Sequence, residues 1–135
     1  MENSDSNNTL RQFQILQETQ SQIEVLNNQI VKINKHINNL KIKNKKAQVA
    51  LESLDCVDES RKVYKQVSRL LVLRNRSELH KELEAERESS KNDLPKLESI
   101  KNQLVAKLGG LNSQLLEINK QLRQQATAES AQQVA

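Results

Sequence analysis

The side chains that most often carry acid–base, nucleophilic or metal chemistry are few in this 135-residue sequence, and they stand apart. The two histidines, His36 and His80, are distant along the chain, and neither has a cysteine or second histidine at metal-ligand spacing. Cys56 is the only cysteine and has no neighbouring base to activate its thiol. The chain also lacks a glycine-rich phosphate loop. We therefore expect no enzyme, no cofactor and no metal site.

Lysines are concentrated in one part of the chain, although the net charge is only +4. This part contains Lys32, Lys35, Lys41, Lys43, Lys45 and Lys46. Surfaces that bind single-stranded nucleic acid combine positive charge with aromatic side chains for stacking, and the whole chain has one Phe, one Tyr and no Trp. We interpret the cluster as a solvated helix face and expect no nucleic-acid partner; a phosphate-binding patch is the alternative.

The composition favours long helices over a globular core. Aromatic residues make up 1% of the chain, and it has only two Gly and one Pro, which turns need and helices avoid. We expect one domain in which the apolar residues line a narrow seam. The polar N-terminus is not that of a signal peptide, no apolar run could span a membrane, and a lone cysteine is usual in the cytosol. These features predict a cytoplasmic protein without a membrane partner.

A heptad pattern predicts the first helix, at about residues 9–55, after a disordered segment at residues 1–8. The seam positions, which recur every three and four residues, are all apolar except Thr19 and Asn44. They are Leu16, Thr19, Ile23, Leu26, Ile30, Ile33, Ile37, Leu40, Asn44, Ala47, Leu51 and Leu54.

A second heptad pattern predicts another helix at about residues 76–125, followed by a flexible tail at residues 126–135. Asn75, with Glu78 three residues later, has the spacing of a capping box at the helix start. Pro95 and the Gly109–Gly110 pair weaken this helix, so three separate helices are the alternative. The seam residues are Leu83, Ser90, Leu94, Leu97, Lys101, Leu104, Leu108, Leu111, Leu115, Ile118 and Leu122.

One antiparallel offset matches the two seams. It places Leu16 opposite Ile118 and Leu51 opposite Leu83, so apolar residues face apolar residues. The same offset places Asn44 opposite Ser90. A buried polar group costs free energy unless it finds a partner, so we expect the Asn44–Ser90 pair to fix the register.

The period changes between the helices and predicts a β-hairpin at about residues 61–74. Val63, Lys65 and Val67 alternate apolar and polar, and the short apolar run at residues 70–73 follows after Ser68 and Arg69. The alternative is that residues 70–74 belong to the second helix. Consecutive apolar residues make both faces of one strand apolar, which invites pairing with other chains. The predicted assembly residues are Val63, Tyr64, Val67, Leu70, Leu71, Val72 and Leu73.

The junction resembles that of the β-class subunits of prefoldin. The resemblance rests on Val57-Asp58-Glu59, the run from Tyr64 to Leu73, and Ser77-Glu78-Leu79. It is closest to the subunit 1 group, with the subunit 2 group second because of the stretch from Asp58 to Lys62. Ser68 departs from the family, which usually has Gly at this turn.

The resemblance implies a hexamer of two α-class and four β-class subunits whose hairpins form a double β-barrel. It also implies capture of unfolded actin- and tubulin-like clients and their delivery to the cytosolic chaperonin, without nucleotide. Apolar residues near the chain ends are then expected to form a frayed tip that binds clients; simple extension of the coiled coil is the alternative. The predicted client-binding residues are Leu10, Phe13, Ile15, Leu16, Ile118 and Leu122.

Two other functions compete with the chaperone. A structural coiled-coil adaptor or tether would pair its helices with other chains in a parallel bundle, as an extended rod. A basic nucleic-acid-associated helix would bind polyanions with a steep salt dependence.

Overall fold

A computed structural model describes the backbone of residues 2–134 and the side chains of residues 6–130. The elements are α1 (Glu2–Asp55), β1 (Val63–Val67), β2 (Leu70–Arg74) and α2 (Arg76–Val134). The predicted mainly helical fold, with two long helices and one short β-hairpin between them, is confirmed. The alternative that placed residues 70–74 in the second helix is wrong, because these residues form β2.

Both helices extend further than the sequence pattern indicates. α1 begins at Glu2 instead of near residue 9, and α2 continues to Val134 instead of ending near residue 125. The segments 2–8 and 126–134, expected to be disordered or flexible, contain no Gly or Pro, and adding a residue to an existing helix costs far less than nucleating one. Met1 and Ala135 lie outside the described residues.

α2 is one helix, so the three-helix alternative is not what the structure contains. Pro95 lies inside it and removes one backbone donor. Gly109 and Gly110 are also helical. The seam residues on either side of these weak points hold α2 against α1, which offsets the low helix propensity of Pro and Gly.

The contacts divide the chain into two units. The terminal unit comprises residues 1–32 and 101–135, and the hairpin unit comprises residues 33–100. In the terminal unit, Thr9 Oγ1 donates to Gln125 Oε1 at 3.4 Å and Gln12 Nε2 donates to Gln121 Oε1 at 3.3 Å. These bonds pair the two helices antiparallel at the predicted offset. All the predicted seam residues of this unit are buried or half-buried.

The hairpin unit has the more deeply buried seam. Its buried residues are Ile37, Ala47, Leu51, Leu54, Leu79 and Ser90. Ser90 Oγ donates its hydrogen bond to the Glu86 carbonyl oxygen within α2, at 2.9 Å, and not to Asn44. The small Ala47 and Ser90 are nevertheless among the most buried residues of the chain. Small side chains therefore fill the most tightly packed positions of this seam.

Candidate interaction site

The hairpin presents two different faces, fixed by its register. Val63 pairs with Arg74, Lys65 with Val72 and Val67 with Leu70, so these side chains share one face because paired residues point the same way. The opposite face carries Tyr64, Gln66, Leu71 and Leu73. Each face therefore combines large apolar side chains with a few polar ones.

The turn of the hairpin consists of Ser68 and Arg69, between the paired Val67 and Leu70. Ser68 has a φ of 57°, and it is the only non-glycine residue with positive φ in residues 2–134. Positive φ at the first central residue alone is the pattern of a type II′ turn, where Gly is preferred. The two-residue turn thus forms as predicted, with a serine in a conformation that L-residues rarely adopt.

Both faces of the hairpin keep large apolar side chains exposed, although α2 contacts one face at Lys65 and Arg74. Leu70 and Leu71, which lie on opposite faces, are each 70% exposed. Tyr64, Val67 and Leu73 are at least half exposed, Val72 is exposed to a lesser extent, and Val63 is half-buried. β1 and β2 form a two-stranded sheet, so both strands are edges with unpaired backbone groups. Such a hairpin is marginal alone in water, and its surface suits burial against other strands.

One carboxylate attaches the hairpin to α2. Lys65 Nζ lies 2.5 Å from Glu82 Oε1, and Arg74 Nη2 lies 2.9 Å from Glu82 Oε2. Lys65 and Arg74 come from different strands but the same face. The hydrogen bond from Lys65, followed by the positive charges of Lys65 and Arg74, lowers the pKa of the Glu82 carboxyl below its usual 4.5.

A second attachment joins the end of α1 to the start of α2. Arg76 donates from Nη1 to the Val57 carbonyl oxygen at 2.5 Å and from Nη2 to the Leu54 carbonyl oxygen at 2.8 Å. The Leu54 carbonyl belongs to the last turn of α1, where carbonyls lack partners within the helix and a cation is favourable, and the Val57 carbonyl follows just after the helix. Asn75 caps α2, because its Oδ1 accepts a hydrogen bond from the Ser77 backbone amide at 3.1 Å. The sequence reasoning identified Asn75 but missed Arg76 and Glu82.

The predicted client-binding residues lie in the terminal unit and divide into two groups. Leu10, Phe13 and Ile15 are exposed, Phe13 by 51%. Leu16, Ile118 and Leu122 are half-buried in the seam. Beyond Leu16 the two helices continue side by side, joined by hydrogen bonds between Thr9 and Gln125 and between Gln12 and Gln121. The exposed residues therefore flank a paired region.

His36 lies on α1, whereas His80 and Cys56 lie near the junction of α1, the hairpin and α2. His80 Nε2 lies 3.7 Å from Asp55 Oδ1, next to Leu54 as the offset predicts, and His36 is exposed. Cys56 is an exposed free thiol. Within the described residues, no group of three or more His, Cys, Asp and Glu side chains could hold a metal ion. No helix among those residues is long and apolar enough to span a membrane.

Residues 17–125 match the sequence pattern of a family described as "Prefoldin subunit", which covers more than half of the chain. The chain belongs to the prefoldin family. Two solved structures share its fold, both from Thermococcus strain KS-1. The prefoldin beta subunit is 24% identical over 76% of this chain and 90% of its own, with a TM-score of 0.65. The prefoldin beta2 subunit is 21% identical over 67% and 96%, with a TM-score of 0.58. No curated protein matches the chain.

Membership of the prefoldin family relates the exposed hairpin to a known fold. The prefoldin family is a family of chaperones and not of enzymes. The two paired helices and the hairpin of this chain have the prefoldin arrangement. The hairpin faces and the exposed apolar residues of the terminal unit are two features that can act in binding.

Proposed function

We propose that this prefoldin-family chain is a β-class subunit, most like subunit 1 and second like subunit 2, of a hexamer with two α-class and three further β-class subunits. The observation that carries this proposal is the uncovered hairpin, with Leu70 and Leu71 exposed on opposite faces. The apolar side chains on both faces would be buried when hairpins of several subunits combine into shared β-barrels.

We further propose that the hexamer captures unfolded actin- or tubulin-like proteins in the cytoplasm and delivers them to the cytosolic chaperonin without nucleotide. The exposed Leu10, Phe13 and Ile15, with the neighbouring Leu16, Ile118 and Leu122, would bind apolar segments of the client. Exposed apolar side chains on a stable pair of helices support this assignment, since burial against a client removes them from water.

The intramolecular pairing of α1 with α2 within the terminal unit argues against the adaptor, which needs helices free to pair with other chains. The hydrogen bonds from Thr9 to Gln125 and from Gln12 to Gln121 join the helices within one chain. Their antiparallel direction differs from that of a parallel bundle.

Assembly is tested by mixing the purified chain with α-class and β-class prefoldin subunits and measuring complex size. Leu71→Lys with Leu73→Lys should prevent hexamer formation, because two charges would be buried in the barrel. Leu116→Lys is a matched control, since Leu116 is also 70% exposed but lies outside the hairpin. Hexamers that form equally well with the hairpin variant would contradict the proposed assembly.

Client capture is tested on assembled hexamers by their suppression of aggregation of denatured actin. Leu10→Asp with Phe13→Asp should weaken suppression while leaving the hexamer intact. Val31→Asp is the control, because Val31 is an exposed aliphatic residue elsewhere on α1. If the double variant suppresses aggregation as well as the control, the assignment of these residues is wrong.

A further inference from the structure

A patch of mixed apolar and basic character lies on α1 in the hairpin unit, away from the hairpin itself. Ile42 and Val49 are 53% and 52% exposed, and together with Lys45, Lys46 and Ala50 they line a shallow depression. We call these five residues the α1 patch. Neither the helix seam nor the proposed subunit assembly uses it.

The heptad explains why these aliphatic residues stay exposed. Ile42 and Val49 are seven residues apart, so they occupy the same heptad position, about 10 Å apart along the helix axis. That position lies opposite the seam residues Ala47 and Leu51, which are buried. Two aliphatic side chains in line on an outer helix face are suited to contact two apolar residues of another helix.

The charge around the patch is one-sided. Between Glu24 and Glu52 the chain has six lysines and no Asp or Glu. Lys43 lies 3.7 Å from Glu86, whereas Lys41, Lys45 and Lys46 have no ion-pair partner among the described residues.

The spacing of these lysines makes the charge unfavourable for the free helix. Lys41 and Lys45 are four residues apart, and Lys43 and Lys46 are three apart, so like charges adjoin on the helix surface. A solvated face is more stable when carboxylates occupy such positions. Carboxylates supplied by another molecule would relieve the same repulsion.

We propose that the α1 patch binds an acidic amphipathic helix of a partner protein. Two aliphatic residues of the partner, seven positions apart, contact Ile42 and Val49, while its carboxylates pair with Lys41, Lys45 and Lys46. The exposed aliphatic residues at the centre favour this occupant over a nucleic acid. Phosphates gain nothing from Ile42 and Val49, and the patch has no aromatic side chain for bases to stack on. This proposal does not rest on client capture or on hexamer assembly.

The test uses the full chain and a fluorescently labelled synthetic helix rich in Glu, with two leucines seven residues apart. We expect binding that weakens as salt is raised. Lys45→Glu with Lys46→Glu should weaken it about tenfold or more, and Ile42→Ser with Val49→Ser should also weaken it. Lys91→Glu with Lys96→Glu makes the same charge change at exposed positions on α2 and should leave binding within about twofold. Circular dichroism checks that all variants keep their helix content.

Two further probes identify the occupant. A second peptide has both leucines replaced by serine. It should bind the native chain as weakly as the original peptide binds the patch variants. An oligonucleotide should compete poorly. The proposal is overturned if the original peptide does not bind, if the Lys91 and Lys96 control loses binding equally, or if the serine peptide and the oligonucleotide bind as well as the original.

Discussion

Removing the Arg76 guanidinium should destabilise the attachment between α1 and α2 by about 2 kcal/mol. Its two hydrogen bonds reach the carbonyl oxygens of Leu54 and Val57 at 2.8 and 2.5 Å. Bonds from a charged donor contribute about 1.5–3 kcal/mol each. Because Arg76 is only half-buried, we take the lower end of this range, which gives about 3 kcal/mol for the two bonds together. A positive charge in the first turn of α2 is unfavourable by about 0.3–1 kcal/mol. Removing Arg76 also removes this penalty, so the net loss of stability is about 2 kcal/mol.

The measurement is the urea unfolding curve of Arg76→Ala, monitored by circular dichroism at fixed protein concentration. Arg76→Lys keeps the charge but loses the planar two-point geometry, so it should recover less than half of the loss. Arg69→Ala, at the exposed turn of the hairpin, is the control and should change stability by less than about 0.5 kcal/mol. A loss in Arg76→Ala no larger than in this control, or full recovery by lysine, would refute the reasoning.

Four further substitutions test other parts of the fold. Gly109→Ala and Gly110→Ala should each stabilise the chain by about 1 kcal/mol, because the added Cβ meets nothing within 4 Å; a lower thermal midpoint would contradict this. Ser68→Gly should stabilise the hairpin turn by about 0.5–1 kcal/mol, since relief of positive φ outweighs the added flexibility; slower hexamer assembly would argue against it. The folded Glu82 pKa lies below 4.5, so its contribution is fully present above pH 4.5 and is lost as pH falls through the folded value. The stability gap between the native chain and Glu82→Gln should therefore narrow as the pH falls below 4.5, and a gap that widens there would show the opposite linkage.

The elements and their pairing offset follow from the sequence because they depend on repeating patterns. Heptad spacing places an apolar stripe on each helix, and one offset brings two stripes together. The change to a period of two after α1, with its turn at Ser68 and Arg69, marks the hairpin, and Asn75 marks the start of α2. These are local signals that tolerate individual exceptions such as Thr19 or Pro95.

The attachments around the hairpin do not follow from such patterns. Glu82 meets Lys65 and Arg74 only because the strand register and the start of α2 bring three long side chains together. Arg76 adjoins the capping residue Asn75, yet nothing in its spacing indicates that it reaches back to α1. A charged side chain can take many rotamers, and the backbone geometry decides which carbonyl or carboxylate it meets.

The hydrogen-bond partners of the polar seam residues also do not follow from the heptad pattern. The sequence predicts that Ser90 needs a partner on α1, but its hydroxyl bonds to the Glu86 carbonyl of its own helix. Thr19 does the same with Ile15, at 2.7 Å. Small hydroxyl side chains can bond to the backbone of their own helix in this way, so they need no partner on the facing helix.

The central claim is that other prefoldin subunits cover the hairpin, and hydrogen–deuterium exchange of residues 63–74 tests it most directly. The measurement compares the chain alone with the chain mixed with α-class and β-class subunits. We expect the hairpin amides to exchange at least about tenfold more slowly in the complex, because strand edges that face solvent become hydrogen-bonded. Residues of the α1 patch, whose partner is absent, should show no added protection. A complex in which the hairpin exchanges as fast as in the free chain would contradict the account.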